Sequence, residues 1–248
     1  MAGSTLASPS ADPAEDIPMR PVVSPARETW RRFRRHRLAM IGLVILTLMV
    51  LGVVLGPLLW PVAINDIDFG ATLSAPSWDH PFGADDLGQD LLARMIYGGR
   101  ISLAVGFAAM LVSALLGVVI GSLAGMSRGM LDSFLMWVTD LFLSLPQLPL
   151  LLLFIYLFRD TLKAVFGLEG GVFVMIVTVI GGLRWMPVAR LVRAQFLSLR
   201  EKEFVEAARS QGATRVRQVV NHILPNALGP VIVAATMEVS FAIISEST

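Results

Sequence analysis

Long apolar runs alternate with polar stretches along this chain, at about 38–60, 101–125, 130–158, 171–189 and 227–245. Each approaches or exceeds the roughly 20 residues that cross a bilayer as an α-helix. The pattern predicts an all-α, polytopic membrane helical bundle with five spans, occupying residues 30–248. Ahead of it, residues 1–29 mix Pro, Ala, Ser and acidic residues without apolar periodicity. That composition reads as a disordered tail.

The first run is preceded by Trp30-Arg31-Arg32-Phe33-Arg34-Arg35-His36-Arg37, which sets five arginines against Leu38–Trp60. A signal peptide also begins with positive charge. This run, however, is too long for an h-region, starts late and lacks a clear small-residue cleavage site. The positive-inside rule keeps the N-terminus cytoplasmic, with Trp30 and Trp60 near the two interfaces. Aromatic residues among arginines also suit anchoring to anionic lipid. Residues 61–100 are acidic and loop-like, as suits the outer side. Within them Asp86–Tyr97 reads as a short surface helix, with Asp85 as N-cap and Asp90–Arg94 as an i,i+4 pair.

The second run carries no charge, and Ala109, Ser113, Gly117, Gly121 and Gly125 recur every four residues along one face. Small residues at that spacing let helix backbones approach closely in lipid, so this face is expected to pack against protein. The third run holds Asp132 and Asp140 in its first half and Ser144-Leu145-Pro146-Gln147-Leu148-Pro149 in its middle. Two prolines at membrane depth should kink or break the helix. Arg159–Gly170 reads as an outer loop. The fourth run is interrupted by Gly181-Gly182, Arg184 and Pro187, and the fifth contains Pro230 and Glu238.

Between the last two runs, 190–226 is polar and basic. Arg190, Arg193, Arg200, Lys202, Arg209, Arg215 and Arg217 outnumber Glu201, Glu203 and Glu206. Four crossings from a cytoplasmic start return this loop to the cytoplasm, where its arginine bias also belongs.

Composition agrees with a membrane protein: 55% of residues are hydrophobic and the mean hydropathy is +0.69. A net charge of +1 gives no general signal for polyanions, and no nucleic-acid partner is expected. Cysteine is absent, which excludes thiol catalysis and Cys-ligated metal. The two lysines, Lys163 and Lys202, are not followed by Ser or Thr, so no phosphate-binding loop exists for ATP. His36, His80 and His222 are scattered across both sides, which leaves no metal cluster and no catalytic set.

The polar loop contains Glu206-Ala207-Ala208, Gly212 and then Leu224-Pro225. Glu203 to Ser210 suits a short helix with acids at its N-terminal end, and Gly212 suits the left-handed turn that ends it. The adjacent alanines give a low-relief surface, and Leu224-Pro225 is expected to stop the following helix. A plain amphipathic turn between spans is the alternative. Further motifs stand around it: His80-Pro81-Phe82-Gly83-Ala84-Asp85-Asp86-Leu87-Gly88-Gln89-Asp90, Arg190-Leu191-Val192-Arg193, and His222-Ile223-Leu224-Pro225-Asn226.

In order and spacing these resemble permease subunits of binding-protein-dependent ABC importers, and most closely the C-type subunit of the dipeptide/oligopeptide group. The resemblance covers about residues 30–248. It implies a type I importer fold and a bacterial inner-membrane location. It also implies a translocation path for di- or oligopeptides, shared with a homologous second permease. Two cytoplasmic subunits would bind ATP and Mg, which this chain would not, and an extracytoplasmic binding protein would deliver solute. Glu203, Glu206, Ala207, Ala208, Gly212, Leu224 and Pro225 would contact the ATPase and move as a rigid lever. Subunits of this family have six spans, whereas this sequence stops inside or just beyond the fifth, so a truncated product is expected.

Ionisable groups within spans are functional candidates by default. Asp140 and Glu238 are candidates for the translocation path or a gate, Glu238 equally for an interhelical hydrogen bond. Asp132 reads as an interfacial residue, and Arg184 as snorkelling or pairing with one of the acids. Two other substrate or function classes stand beside the peptide importer. One is an ABC permease for nickel or another small solute. The other is an ion-coupled secondary transporter, which would explain broken spans and buried acids but not the loop.

Overall fold

The computed structural model describes residues 30–31, 33–127 and 129–246, apart from the side chain of Glu169. The tail read at 1–29, and Arg32, Arg128, Ser247 and Thr248, lie outside the described residues. Among those described, regular structure is helical, with one isolated bridge between Ala84 and Asp90. The helices are α1 (Arg37–Leu59), α2 (Leu91–Met126), α3 (Met130–Ser144), α4 (Gln147–Phe166), α5 (Leu168–Gly182), α6 (Trp185–Leu199), α7 (Glu203–Ser210), α8 (Arg215–Gln218) and α9 (Leu224–Glu246). A π-turn, Val219–Ile223, joins α8 to α9.

Three stretches are long and apolar enough to cross a membrane: α1, α2 and the continuous run Arg215–Glu246. The number rises to five if each bent pair counts as one span. Those pairs are α3 with α4, at 90°, and α5 with α6, at 42°. Proline chemistry explains the first break. Leu145 is extended (φ −81°, ψ 136°), the conformation favoured before a proline, and Pro146 then caps α4. Pro149 and Pro187 each fall in the first turn of their helices, where a missing N–H costs nothing.

Several boundaries differ from the hydropathy reading. The third run, 130–158, breaks into two helices at Leu145-Pro146, as its prolines predict, and the second of them extends beyond 158. The outer loop at Arg159–Gly170 is mostly helix, because α4 continues to Phe166 and the chain turns on Gly167 at φ +77°. The second span starts at Leu91 instead of 101, and no separate surface helix exists. Gly88 at φ +81° blocks helix before that point, and Asp90 rather than Asp85 is the N-cap. The polar segment at 190–226 begins inside α6, which runs to Leu199.

The chain forms two compact units that divide between Gly52 and Val53. In the first, Trp30 stacks on Phe33, and the Nδ1 of His36 accepts the Ala39 N–H at 3.2 Å at the start of α1. The second unit contains everything that follows.

Its centre is the contact of α2 with α6. Gly117, Gly121 and Gly125, four apart, meet Val188, Val192 and Phe196, also four apart, so the two helices run parallel and in register. A β-carbon added to Gly117 would lie 2.6 Å from the Val188 side chain, and one on Gly121 2.5 Å from the Ala189 carbonyl oxygen. On Gly125 it would lie 2.5 Å from Phe196 Cβ. Ser113, further along the same face, is buried and donates to the Met110 carbonyl at 3.0 Å. Gly181 of α5 presses on Val112 and the Ala109 carbonyl in the same way. The core that results joins Val188, Val192 and Phe196 of α6 to Val205 of α7, to Ile223, and to Ala227 and Val231 of α9. Outward faces remain strongly apolar, as on Leu58, Leu115 and Ile232, which suits lipid or partner protein rather than water.

Replacing Gly117 or Gly121 by Leu is expected to cost about 1–3 kcal/mol through overpacking and to reduce recovery of folded protein from detergent extracts. Gly98→Ala, on the same helix with nothing within 4 Å of the added carbon, serves as the control and should be recovered normally. Equal recovery of all three would contradict a backbone-limited contact.

Candidate functional site

The loop between α6 and α9 folds as a short helix on a stalk. Arg200, at the end of α6, donates from Nη1 to the Gly125 carbonyl at 2.9 Å, which ties the loop to the end of α2. Extended Lys202 starts α7, and Glu203 and Glu206 occupy the first turn, where acids complement the helix dipole. Val205 and Ala208, three apart, are buried; Glu203, Glu206 and Ala207 face outward, with Phe204 41% exposed. Of the two alanines read as one low-relief surface, only Ala207 is on the outside. Ala208 serves packing, since residues one apart on a helix point about 100° away from each other.

Gly212 ends α7 at φ +80°. Its N–H donates to the Arg209 carbonyl at 3.0 Å and the Ala213 N–H to the Ala208 carbonyl at 3.0 Å, the two bonds of a Schellman cap. Nothing lies within 4 Å of a β-carbon there, so the glycine is required by backbone conformation alone. Thr214 then caps α8, and Gln218 Nε2 donates back to the Ala213 carbonyl at 2.7 Å. An open groove of about 560 Å³ runs along this region, lined by Glu206, Arg209, Arg200 and Arg215 among others.

Leu224-Pro225 does not stop a helix. The π-turn before it lets the Leu224 N–H donate to the Val219 carbonyl, and the helix passes through exposed Pro225 into α9. The wider turn makes room for the proline ring, whose clash with a carbonyl one turn back otherwise breaks a helix. Asn226 Nδ2 donates to the His222 carbonyl at 2.6 Å beside it.

Asp132, Asp140 and Glu238 each have an arginine partner on α6 or at its N-cap. Glu238 of α9 is 7% exposed and accepts from Arg184 Nε at 2.8 Å, while the Arg184 guanidinium lies 4.3 Å from the Phe241 ring centroid. Asp140, an exposed residue of α3, pairs with Arg190. Asp132, also on α3, holds Arg193 by a two-pronged bond, Nε to Oδ1 at 2.6 Å and Nη2 to Oδ2 at 2.7 Å. The last pair was not legible in sequence, since nothing in the spacing of residues 61 apart marks them as neighbours. Among the described residues no group of three or more His, Asp or Glu side chains is placed to hold a metal.

At the opposite end of α2 the acidic segment is closed by side chains. Asp90 Oδ1 accepts the Ala93 N–H at 2.7 Å and Trp60 Nε1 at 3.1 Å, and its Oδ2 lies 2.9 Å from His80 Nδ1. His80 Nε2 is 3.8 Å from Asp68. The i,i+4 pair expected between Asp90 and Arg94 is not made. Arg94 pairs with Asp85, because Asp90 is already committed to the helix end and to His80. Asp85 also accepts the Leu87 and Gln89 N–H groups, both at 2.9 Å, and sits below its ordinary value chiefly for the Gln89 bond. Gly83 and Gly88 take positive φ, and β-carbons on them would meet the Ser74 and Asp68 carbonyls at 2.4 and 2.2 Å.

Residues 117–248, more than half of the chain, match the family model described as binding-protein-dependent transport system inner membrane component. Residues 24–76 match that of the N-terminal TM domain of oligopeptide transport permease C. The dipeptide transport system permease protein DppC of Bacillus subtilis is 37% identical over 232 residues, covering 94% of this chain and 69% of that protein. A putative peptide permease protein of Brucella ovis is 38% identical, covering 90% and 70%. For the oligopeptide transport system permease protein OppC of Haemophilus influenzae the identity is 36%, covering 88% and 67%.

The His80–Asp90 pair generates a pH dependence. The bond to Asp90 raises the His80 imidazole above its ordinary 6.5. Burial pushes the Asp90 carboxyl up, but the Ala93 amide, His80 and Trp60 outweigh it and hold it below 3.8. A raised histidine contributes stability that is complete below its unfolded value and lost as pH rises through the folded one. A lowered aspartate contributes above its unfolded value and fails as pH falls through the folded one. The two therefore act together between those ordinary values. Thermal melting between about pH 6 and about pH 9 should show stability declining in the wild type, and His80→Gln should lack that component of the decline. Parallel profiles for the two proteins would contradict the assignment.

Proposed function

This chain belongs to the family of binding-protein-dependent transport system inner membrane components, and from that premise we propose that it forms part of a translocation path for di- or oligopeptides and takes its driving force from separate ATPase subunits. It is an integral inner-membrane permease of an ABC importer. The observation that carries the coupling role is α7. Its Val205 is buried in the core shared with α6 and α9, and Ala208 is buried on the same side, while Glu203, Glu206 and Ala207 project outward from a helix fixed by Gly212. A displacement of the outward face is therefore felt by two membrane helices.

In this reading the partners are a homologous second permease, two cytoplasmic subunits that bind ATP and Mg, and an extracytoplasmic solute-binding protein. The peptide substrate follows from the relatives, which are named for dipeptide or oligopeptide transport. Asp140 and Glu238 contribute to the path or its gate through their arginine partners. The N-terminus and the loop carrying α7 lie in the cytoplasm, with residues 61–90 outside.

Orientation is tested by single cysteines at Ser77 and Ser210, which are unique because the chain has none. A membrane-impermeant thiol reagent applied to intact cells should label position 77 and spare 210; the reverse pattern would overturn the topology.

Coupling is tested by Glu206→Lys, which reverses charge on the outward face, and Gly212→Val, which forces a β-branched residue into the left-handed region at about 1–2 kcal/mol. Both should insert normally. In the reconstituted complex, transport and substrate-stimulated ATP hydrolysis should fall, or the ATPases should detach. Normal values for both variants would remove α7 from the ATPase contact.

A further inference from the structure

The helices that flank the loop are joined to their neighbours by different means. α6 meets α2 through glycines, and α6 and α9 share a core with Val205 of α7. The far ends of α6 and α9 are closed by Arg184–Glu238. These elements pack as one hairpin with α7 at its tip.

α3 is attached differently. Only Thr139 of its fifteen residues is buried. Along α6 it is held by Asp132–Arg193 and Asp140–Arg190, and by Phe142 against Trp185 with ring centroids 6.2 Å apart. The order of partners, rising along α3 and falling along α6, shows that the helices run antiparallel and fixes their register.

Asp140 and Arg190 are both more than half exposed, whereas the side chains of Asp132 and Arg193 are 18% and 33% exposed. The effect of these bridges is geometric: a forked Arg–carboxylate bond fixes orientation and position at once. α3 leads straight into the break at Leu145-Pro146. Between that break and the one at Leu183-Arg184 lies a cavity of about 130 Å³ lined by Leu145, Gln147, Arg184 and Pro187. Displacing α3 along α6 moves one wall of that cavity against the other.

We infer that Asp132 and Asp140 are positioning residues of transport: through Arg193 and Arg190 they carry the movement of α7 into α3 and so into the paired helix breaks. This rests on the reading of α7 as the ATPase contact. The exposed Asp140–Arg190 pair and the forked Asp132–Arg193 pair are the only side-chain hydrogen bonds between α3 and α6 among the described residues.

The test uses the complete complex in proteoliposomes, with its binding protein and a radiolabelled mixture of di- to pentaalanine. Asp132→Asn with Asp140→Asn keeps side-chain size and removes both charges. It should leave complex recovery near wild type, while the ratio of stimulated to basal hydrolysis falls toward one and transport drops about tenfold. Asp132→Arg and Arg193→Asp should each be defective singly, and the double swap should regain at least about half of the lost transport, since opposite charges face again.

A purely structural role would lower recovery and leave the hydrolysis ratio of the surviving complex unchanged, which would overturn the inference. So would wild-type transport and stimulation in the neutral double variant, or a swap no better than either reversal. If the reversals fail to assemble, the neutral variant decides alone. Glu206→Lys and Gly212→Val separate the two readings. Normal coupling in those variants sinks the role of α7, whereas defective coupling there with normal coupling in Asp132→Asn/Asp140→Asn sinks only the linkage.

Discussion

Close approach of the α2 and α6 backbones is the contact on which the other parts of this structure depend. Within a bilayer, burial of apolar side chains drives helices together weakly, because lipid tails are as apolar as leucine. What remains is packing, and packing is strongest where no side chain intervenes. Gly117, Gly121 and Gly125 remove that obstacle at three successive turns, so Val188, Val192 and Phe196 lie against the α2 backbone itself. A contact limited by backbone atoms has almost no freedom to slide. It fixes α6 in depth and rotation, and the loop that follows inherits that placement through Arg200 and the carbonyl of Gly125.

Charge does a second kind of work on the same helix. Arg184, Arg190 and Arg193 stand at the start and along α6, and each finds an acid on α9 or α3. A lone arginine or carboxylate at membrane depth is costly, and pairing removes much of that cost without making the pair a net source of stability. Breaking such a bond leaves two unpaired charges, so the pairs hold the register of α3 on α6 while the glycine contact holds that of α6 on α2.

The acidic segment before α2 follows the opposite logic. It buries little apolar surface beyond Ala71 and Ala84, and it is held largely by hydrogen bonds and ion pairs among its polar groups. Asp90 alone serves the helix end, Trp60 and His80. Gly83 and Gly88 allow carbonyls to approach where any side chain would collide. Asp85 closes the turn between them and holds Arg94. The motif His80 to Asp90 is thus a set of mutual caps, and its residues are explained by the turn they build.

The order of apolar runs, the arginine bias of the loops and the four-residue recurrence of small residues were all legible in the sequence, because each rests on local periodicity or composition. So was the loop helix, with acids at its start and a glycine at its end, and the break at Pro146, since capping and proline sterics act over a few residues. Other features belonged to the tertiary structure. It decided that Ala208 packs inward while Ala207 faces out, that a π-turn carries the helix through Pro225, and that Arg94 bonds Asp85 because Asp90 is occupied. It alone paired Asp132 with Arg193, Asp140 with Arg190 and Glu238 with Arg184. Charges attract without regard to sequence separation, so which of several acids an arginine meets is set by the register of packed helices, and that register exists only once the glycine face has found its partner.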